Sequence, residues 1–244
     1  MIMTDISMPI IGYMHSPYRE KFGIPRQPNL VQVESYIEMQ PPYNDLLAFE
    51  GIEAFSHLWL IWQFHENKPA TTAQQFRAQV RPPRLGGNQK IGVFATRSMY
   101  RPAPLGLSVV QLKQVVKQGK SVRVYVLGSD LLDGTPIVDI KPYIHYSDAV
   151  LNAQSGYAQQ QPQRKLLQWS VRAMQDKQTL LAAQKTSLQQ LEELEQVLSL
   201  DPRPAYQQDA QRIYGMRFAD LNVKFNILED HIEIQRLTLY GSME

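Results

Sequence analysis

Two arginines four residues apart, Arg97 and Arg101, lie in the segment Gly92 to Ser108, where Pro102, Pro104 and Gly106 follow them. Proline fixes φ and glycine permits close backbone approach, so this spacing predicts a stiff loop that presents guanidinium groups. Such groups suit a phosphate, a carboxylate or a base edge. The alternative is a proline-stiffened connector whose arginines pair with local carboxylates. A second segment, Asp130 to Tyr143, sets Asp130, Asp133 and Asp139 around a turn and a following strand. Carboxylates there can accept from ribose hydroxyls or face the cationic part of a ligand. Asp133-Gly134 also reads as an ordinary turn with Asp130 as its capping acid. The run Phe55 to His65 reads as an aromatic strand with His57 and His65 towards its ends; such a strand is core by default and offers only its end to a ligand. The run Phe22 to Pro28 holds another proline-braced arginine, Arg26, and reads otherwise as a surface loop.

Other chemistries lack support. The chain has no cysteine, which excludes disulfides, thiolate metal sites and a cysteine nucleophile. His57, His65 and His145 follow no metal-binding spacing, so no metal is expected. GxSxG, Walker and HExxH patterns are absent. The net charge is only +2, but no Asp or Glu occurs between Glu66 and Asp130, where Lys68, Arg77, Arg81, Arg84, Lys90, Arg97, Arg101, Lys113, Lys117, Lys120 and Arg123 all fall. A segment of one sign attracts phosphate and releases counterions on binding, which points to nucleic acid or an anionic ligand; the alternative is a solvated positive face with no partner.

The elements that must position these groups are mostly short strands. Ile10 to His15, Val31 to Met39, Phe55 to Phe64, Ile91 to Ala95, Leu107 to Val116, Val122 to Leu127 and Ile137 to Tyr143 are β-like runs separated by Pro and Gly, and they suggest a barrel. Val122 to Val126 alternates as a half-buried strand should, with a hairpin turn at Gln118-Gly119-Lys120. No GxGxxG follows a strand, and no helices alternate with the strands, so a doubly wound dinucleotide fold is disfavoured. Residues 151–163 are rich in Gln, Ala and Ser and read as a linker. Beyond them, Leu188, Leu191, Leu194, Val197 and Leu198 keep helical spacing after Thr186-Ser187, with Asp201-Pro202 as the stop. Ile213 to Phe218, Leu221 to Leu228 and Ile232 to Leu239 read as an antiparallel meander. The expected fold is therefore mainly β with α+β: a barrel over 1–150, a linker over 151–163 and a small α+β domain over 164–244. No run reaches the roughly 18 apolar residues of a membrane span, no signal-peptide pattern opens the chain, and the expected location is the cytoplasm.

Seven ordered blocks together resemble the TrmO family, bacterial tRNA (adenine-N6)-methyltransferases that act on N6-threonylcarbamoyladenosine. They are Ser16-Pro17-Tyr18, Pro25-Arg26-Gln27-Pro28, Phe55 to His65, Arg81 to Gly87, Phe94 to Ser108, Asp130 to Tyr143 and Asp201 to Tyr206. The chain departs from the family pattern at Met99, Tyr100, Ala103 and Leu105; aromatic and aliphatic character survive, while Ala103 lacks the side-chain amide usual there and is assigned no ligand contact. The resemblance implies a barrel that binds S-adenosylmethionine (SAM) without a Rossmann fold, a smaller C-terminal domain, and a homodimer with the cofactor site near the subunit interface. Carried over by position, Pro25, Arg26, Gln27, Phe64, His65, Arg97, Leu105 and the turn Asp130, Leu131, Leu132, Asp133 and Gly134 are the cofactor-site candidates. Arg97, Tyr100, Arg101, Arg203 and Tyr206 are the substrate-side candidates, and His65 is a candidate base. The partner that the resemblance implies is the anticodon stem-loop of tRNA, with methylation expected next to the anticodon at position 37. Two other classes share the basic segment: an RNA-binding protein without catalysis, which would not bind SAM, and a small-molecule enzyme with an anionic substrate, whose affinity would ignore salt.

Overall fold

The computed structural model describes residues 6–66, 76–203, 207, 209 and 211–241. In chain order its strands begin with β1 (Gly12–His15), β2 (Glu34–Met39), β3 (His57–Gln63), and the two-residue β4 (Gln79–Val80) and β5 (Ile91–Gly92). They continue with β6 (Leu105–Gln118), β7 (Ser121–Leu127), β8 (Pro136–Pro142), β9 (Leu166–Trp169), β10 (Ile213–Phe218), β11 (Leu221–Ile227) and β12 (His231–Leu239). The helices are α1 (His145–Asp148), α2 (Val171–Ala182) and α3 (Leu188–Ser199). Among the described residues no helix is long and apolar enough to cross a membrane.

Six strands close the expected barrel in the order β1-β2-β7-β6-β3-β8, all neighbours antiparallel and β8 pairing back to β1. Closure leaves no open sheet edge, and alternation along each strand decides which side chains fill the interior. Leu58, Leu60 and Trp62 of β3 point inward, as do Val122, Val124 and Val126 of β7, and they meet Met14, Ile37, Val110 and Ile137 in one core. Each such aliphatic side chain contributes about 1.5–3 kcal/mol by leaving water. The 14-residue β6 serves two neighbours, pairing through Leu105–Gln111 with β3 and through Gln111–Gln118 with β7, with an irregularity at Leu112/Gln114.

The strand expected over 91–95 is shorter than its apolar content suggested. Only Ile91 and Gly92 pair, with Val80 and Gln79, and the chain then turns through a 3-10 segment, Val93–Ala95. The Val93 carbonyl accepts from both the backbone N–H and the hydroxyl of Thr96, which pulls the backbone out of extension and leaves Phe94 67 % exposed.

The second core belongs to the C-terminal part. Its sheet runs β10-β11-β12-β9, the first three strands antiparallel and β9 parallel to β12. The expected helix is α3, started by Ser187, whose hydroxyl accepts from Gln190 N while Gln190 answers back to the Ser187 backbone. Helix α2 and strand β9 were not anticipated from sequence; α2 fully buries only Ala173 and Leu180, too thin an apolar stripe to stand out.

The segment between β1 and β2 packs into this second core. Tyr18, Val31 and Val33 are buried there, with Phe22 and Ile24 against its edge. Strand β2 consequently begins at Glu34 and not at Val31. Tyr18 bridges to Phe218, the Ala219 N–H donates to the Pro17 carbonyl at 2.7 Å, and Glu193 of α3 accepts from the Glu34 N–H at 3.1 Å. The strap bearing Pro25, Arg26 and Gln27 is thereby held between barrel and sheet.

Candidate cofactor site

The segment after β7 crosses the mouth of the barrel before β8 begins. Leu131 and Leu132 are buried, Leu131 within the barrel core, and their carbonyls are taken: Leu131 O accepts from the Ser16 hydroxyl at 2.8 Å, and Leu132 O from the Thr135 hydroxyl at 2.6 Å. These two leucines anchor the turn from below. Gly134 has φ 77°, in the left-handed region that favours glycine, and its N–H donates to Met14 O at 2.8 Å. A Cβ placed on Gly134 would lie 4.0 Å from His65 Nε2, so the histidine at the end of the aromatic strand stands over this turn.

The two carboxylates of the turn serve different ends. Asp133 is structural: Oδ1 accepts from the Ser16 N–H at 3.0 Å, and Oδ2 is paired with the Arg19 guanidinium. This pair forms part of the wall of a cleft of about 620 Å³ between barrel and C-terminal domain, shared with His15, Tyr36, Tyr125 and Glu193. Asp130 faces the other way. Its Oδ1 accepts from the Ser108 hydroxyl at 2.6 Å, and Ser108 in turn accepts from the Trp62 indole N–H at 3.0 Å. Burial pushes the Asp130 carboxyl up to about 6, against the opposing pull of the Ser108 hydrogen bond and the Arg97 guanidinium.

The two loop arginines part company. Arg97 reaches across to the strap and donates to Gln27 Oε1. Arg101 folds back on its own loop, with Nη1 donating to Thr96 O at 2.7 Å and the guanidinium 5.4 Å from the centre of the Phe94 ring. Tyr100 is 55 % exposed at the loop's tip. The loop returns to the barrel where the Phe64 N–H donates to Pro104 O at 2.8 Å and Leu105 registers with Gln63. The Phe64 and Trp62 rings meet edge to face at 4.4 Å.

Gln27, Phe64, His65, Arg97, Leu105, Asp130 and Gly134 therefore form one connected neighbourhood at the barrel mouth. Arg26 lies apart from this chain of contacts, donating to Arg203 O at 3.2 Å, and Arg203 is itself tied to Asp201 at 3.1 Å. Tyr206 and Lys68 lie outside the described residues. Among the described residues no three His, Asp or Glu side chains gather as a metal site. Sequence reading assigned no role to Ser108 or to Trp62. The available signal was a serine at an inward position among aliphatic neighbours, two residues along from the glycine opposite a tryptophan whose N–H needs an acceptor.

Fold and site define a class: a closed barrel, not a doubly wound sheet, that brings one guanidinium, one carboxylate and an aromatic ring to its mouth and is joined to a small α+β domain. Residues 13–149 match the family model described as the tRNA-methyltransferase O N-terminal domain, and residues 162–239 match the TrmO C-terminal domain. The chain belongs to the TrmO family. It is 41 % identical over 235 residues to the tRNA (adenine(37)-N6)-methyltransferase of Escherichia coli (strain K12), covering 95 % of this chain and 97 % of that one. It is 44 % identical to the putative S-adenosylmethionine-dependent methyltransferase RcsF of Pseudomonas aeruginosa, covering 92 % of this chain and 93 % of the relative. A crystal structure of TrmO from Pseudomonas aeruginosa superposes with a TM-score of 0.77 at 34 % identity, over 97 % of this chain and all of the other.

Proposed function

We propose that this protein transfers the methyl group of SAM to N6 of adenosine 37 in tRNA. The observation that carries the reading is likeness to a tRNA (adenine(37)-N6)-methyltransferase along nearly the whole of both chains, with the charged groups of the barrel mouth in place. The donor set suits the cofactor: SAM combines a carboxylate with cationic centres, and the mouth offers the Arg97 guanidinium and the Asp130 carboxylate. SAM supplies the electrophilic methyl. Arg97, braced by Gln27, would hold an anionic group, Asp130 would accept from hydroxyl or ammonium groups, and Phe64 would offer a ring face.

The acceptor is read more finely as N6-threonylcarbamoyladenosine. Its N6 is urea-like, so a proton must leave before or during attack; His65 Nε2, standing over the Gly134 turn, is the proposed acceptor. The catalytic module is the barrel part, residues 1–150. Residues 164–244, with the 201–206 segment, complete the RNA side, and Lys and Arg of the acid-free segment would grip the stem-loop phosphates. Phe94, Tyr100 and Leu107 are each more than half exposed beside the site, which is the apolar area a second copy would cover in a homodimer. A cytoplasmic location completes the reading.

The test is labelled methyl transfer from SAM to tRNA purified with and without threonylcarbamoyladenosine, using wild type and Arg97→Ala. Transfer only to the modified tRNA, lost in the variant, supports every part. Transfer to unmodified tRNA refutes the finer substrate, and salt-sensitive tRNA binding without transfer leaves a non-catalytic RNA-binding protein.

A further inference from the structure

Trp62, Ser108 and Asp130 form a hydrogen-bonded line from the barrel core to its mouth. Trp62 is 7 % and Ser108 1 % exposed, so water cannot stand in for either partner. An indole N–H can only donate, and an ionised carboxylate can only accept. A hydroxyl between them has its direction set: it accepts from Trp62 Nε1 at 3.0 Å and gives its single proton to Asp130 Oδ1 at 2.6 Å. The tryptophan is itself held in place. It sits opposite Gly106 on β6, where a Cβ would fall 2.2 Å from the indole carbons, so only glycine lets the ring lie against that strand.

We propose that Ser108 is a positioning residue for the cofactor site, oriented by the Trp62 indole so that its hydroxyl fixes Asp130 Oδ1 and leaves Oδ2 to the ligand. This inference rests on the functional reading above, and it adds the barrel-core origin of the site's orientation. The charged or titratable groups acting on Asp130 from the neighbouring loops are Arg97 and Tyr18; burial holds the Tyr18 phenol neutral, well above its usual range, and Asp133 is occupied by Arg19. Ser108 is thus the neutral donor that lets a half-buried carboxylate stay ionised near neutrality.

The test begins without any ligand. The carboxyl carbon of Asp130 is followed by ¹³C NMR across pH in wild type, Ser108→Ala, Ser108→Thr and Trp62→Phe. The midpoint should rise by roughly one pH unit in Ser108→Ala, return towards wild type in Ser108→Thr, and rise less in Trp62→Phe. SAM affinity by calorimetry at pH 7 should fall about ten- to hundredfold in Ser108→Ala, with the loss appearing in KM more than in kcat. An unmoved Asp130 midpoint in folded Ser108→Ala overturns the proposal. If Ser108→Ala does not fold, an unmoved midpoint in Trp62→Phe overturns it equally. Absence of SAM binding by wild type would sink the functional reading, yet the ligand-free titration would still decide this one.

Discussion

In Asp130→Asn the Ser108 hydroxyl keeps an acceptor, since an amide oxygen takes the place of the carboxylate oxygen, while the half-buried negative charge disappears. The folded carboxyl titrates at about 6, against an ordinary value of 3.8. A group whose folded value is raised contributes its stability fully below the unfolded value and loses it as pH rises through the folded one. At 1.36 kcal/mol per unit the whole shift is worth about 3 kcal/mol, of which wild type should lose about 2–2.5 kcal/mol between pH 4 and pH 7 through this one residue. The asparagine variant cannot. Its advantage over wild type should be near zero at pH 4 and reach about 2–3 kcal/mol at pH 7.5, a rise in Tm of roughly 4–12 °C for a chain of this size. Urea unfolding followed by circular dichroism at both pH values measures it, and the difference between proteins cancels every other carboxylate. Stability curves that run parallel with pH would mean that Asp130 is ionised in the fold without penalty, contrary to its burial. The same substitution should weaken SAM binding, so stability and activity would move in opposite directions.

Gly106→Ala should destabilise the barrel by about 1–3 kcal/mol, since the added methyl must displace the Trp62 indole; thermal unfolding checks this, and an unchanged Tm would mean the ring is free to shift. Arg97→Ala should weaken SAM binding at least about tenfold, and Arg101→Ala should weaken it far less, because Arg101 is spent on the carbonyl of Thr96; equal losses in calorimetry would contradict the division of roles. Ser187→Ala should cost about 1 kcal/mol by removing the cap of α3, with no effect on SAM affinity, as read from denaturant midpoints and calorimetry side by side.

The barrel was legible as many short apolar runs broken by Pro and Gly; Val122, Val124 and Val126 alternate and announce an inner face, whereas Leu58 to Trp62 is apolar throughout and only the folded barrel shows that Leu58, Leu60 and Trp62 face inward. Where alternation misled, a second core was responsible. Val31 and Val33 keep the rhythm of β2 yet pack with Phe218 and Leu198, which only the folded arrangement can reveal. The site was legible as a set of segments and not as roles. Nothing local distinguishes Asp130 from Asp133, since the partner that neutralises Asp133 is Arg19, 114 residues away. Nor does spacing tell which loop arginine turns outward; Arg97 finds Gln27 on the strap, while Arg101 finds a carbonyl five residues back. Helix α2 was hidden because the sheet supplies most of the apolar surface and asks little of the helix.

On the proposed function, this barrel places SAM against one nucleotide of tRNA. The most direct test is incubation of the purified protein with labelled SAM and tRNA carrying threonylcarbamoyladenosine at position 37, followed by nuclease digestion and mass spectrometry of the fragments. The expected result is one added methyl, on N6 of the adenosine at position 37, and none in a tRNA with another base there. A methyl at any other nucleotide, or none at all from protein that binds both SAM and tRNA, would contradict it.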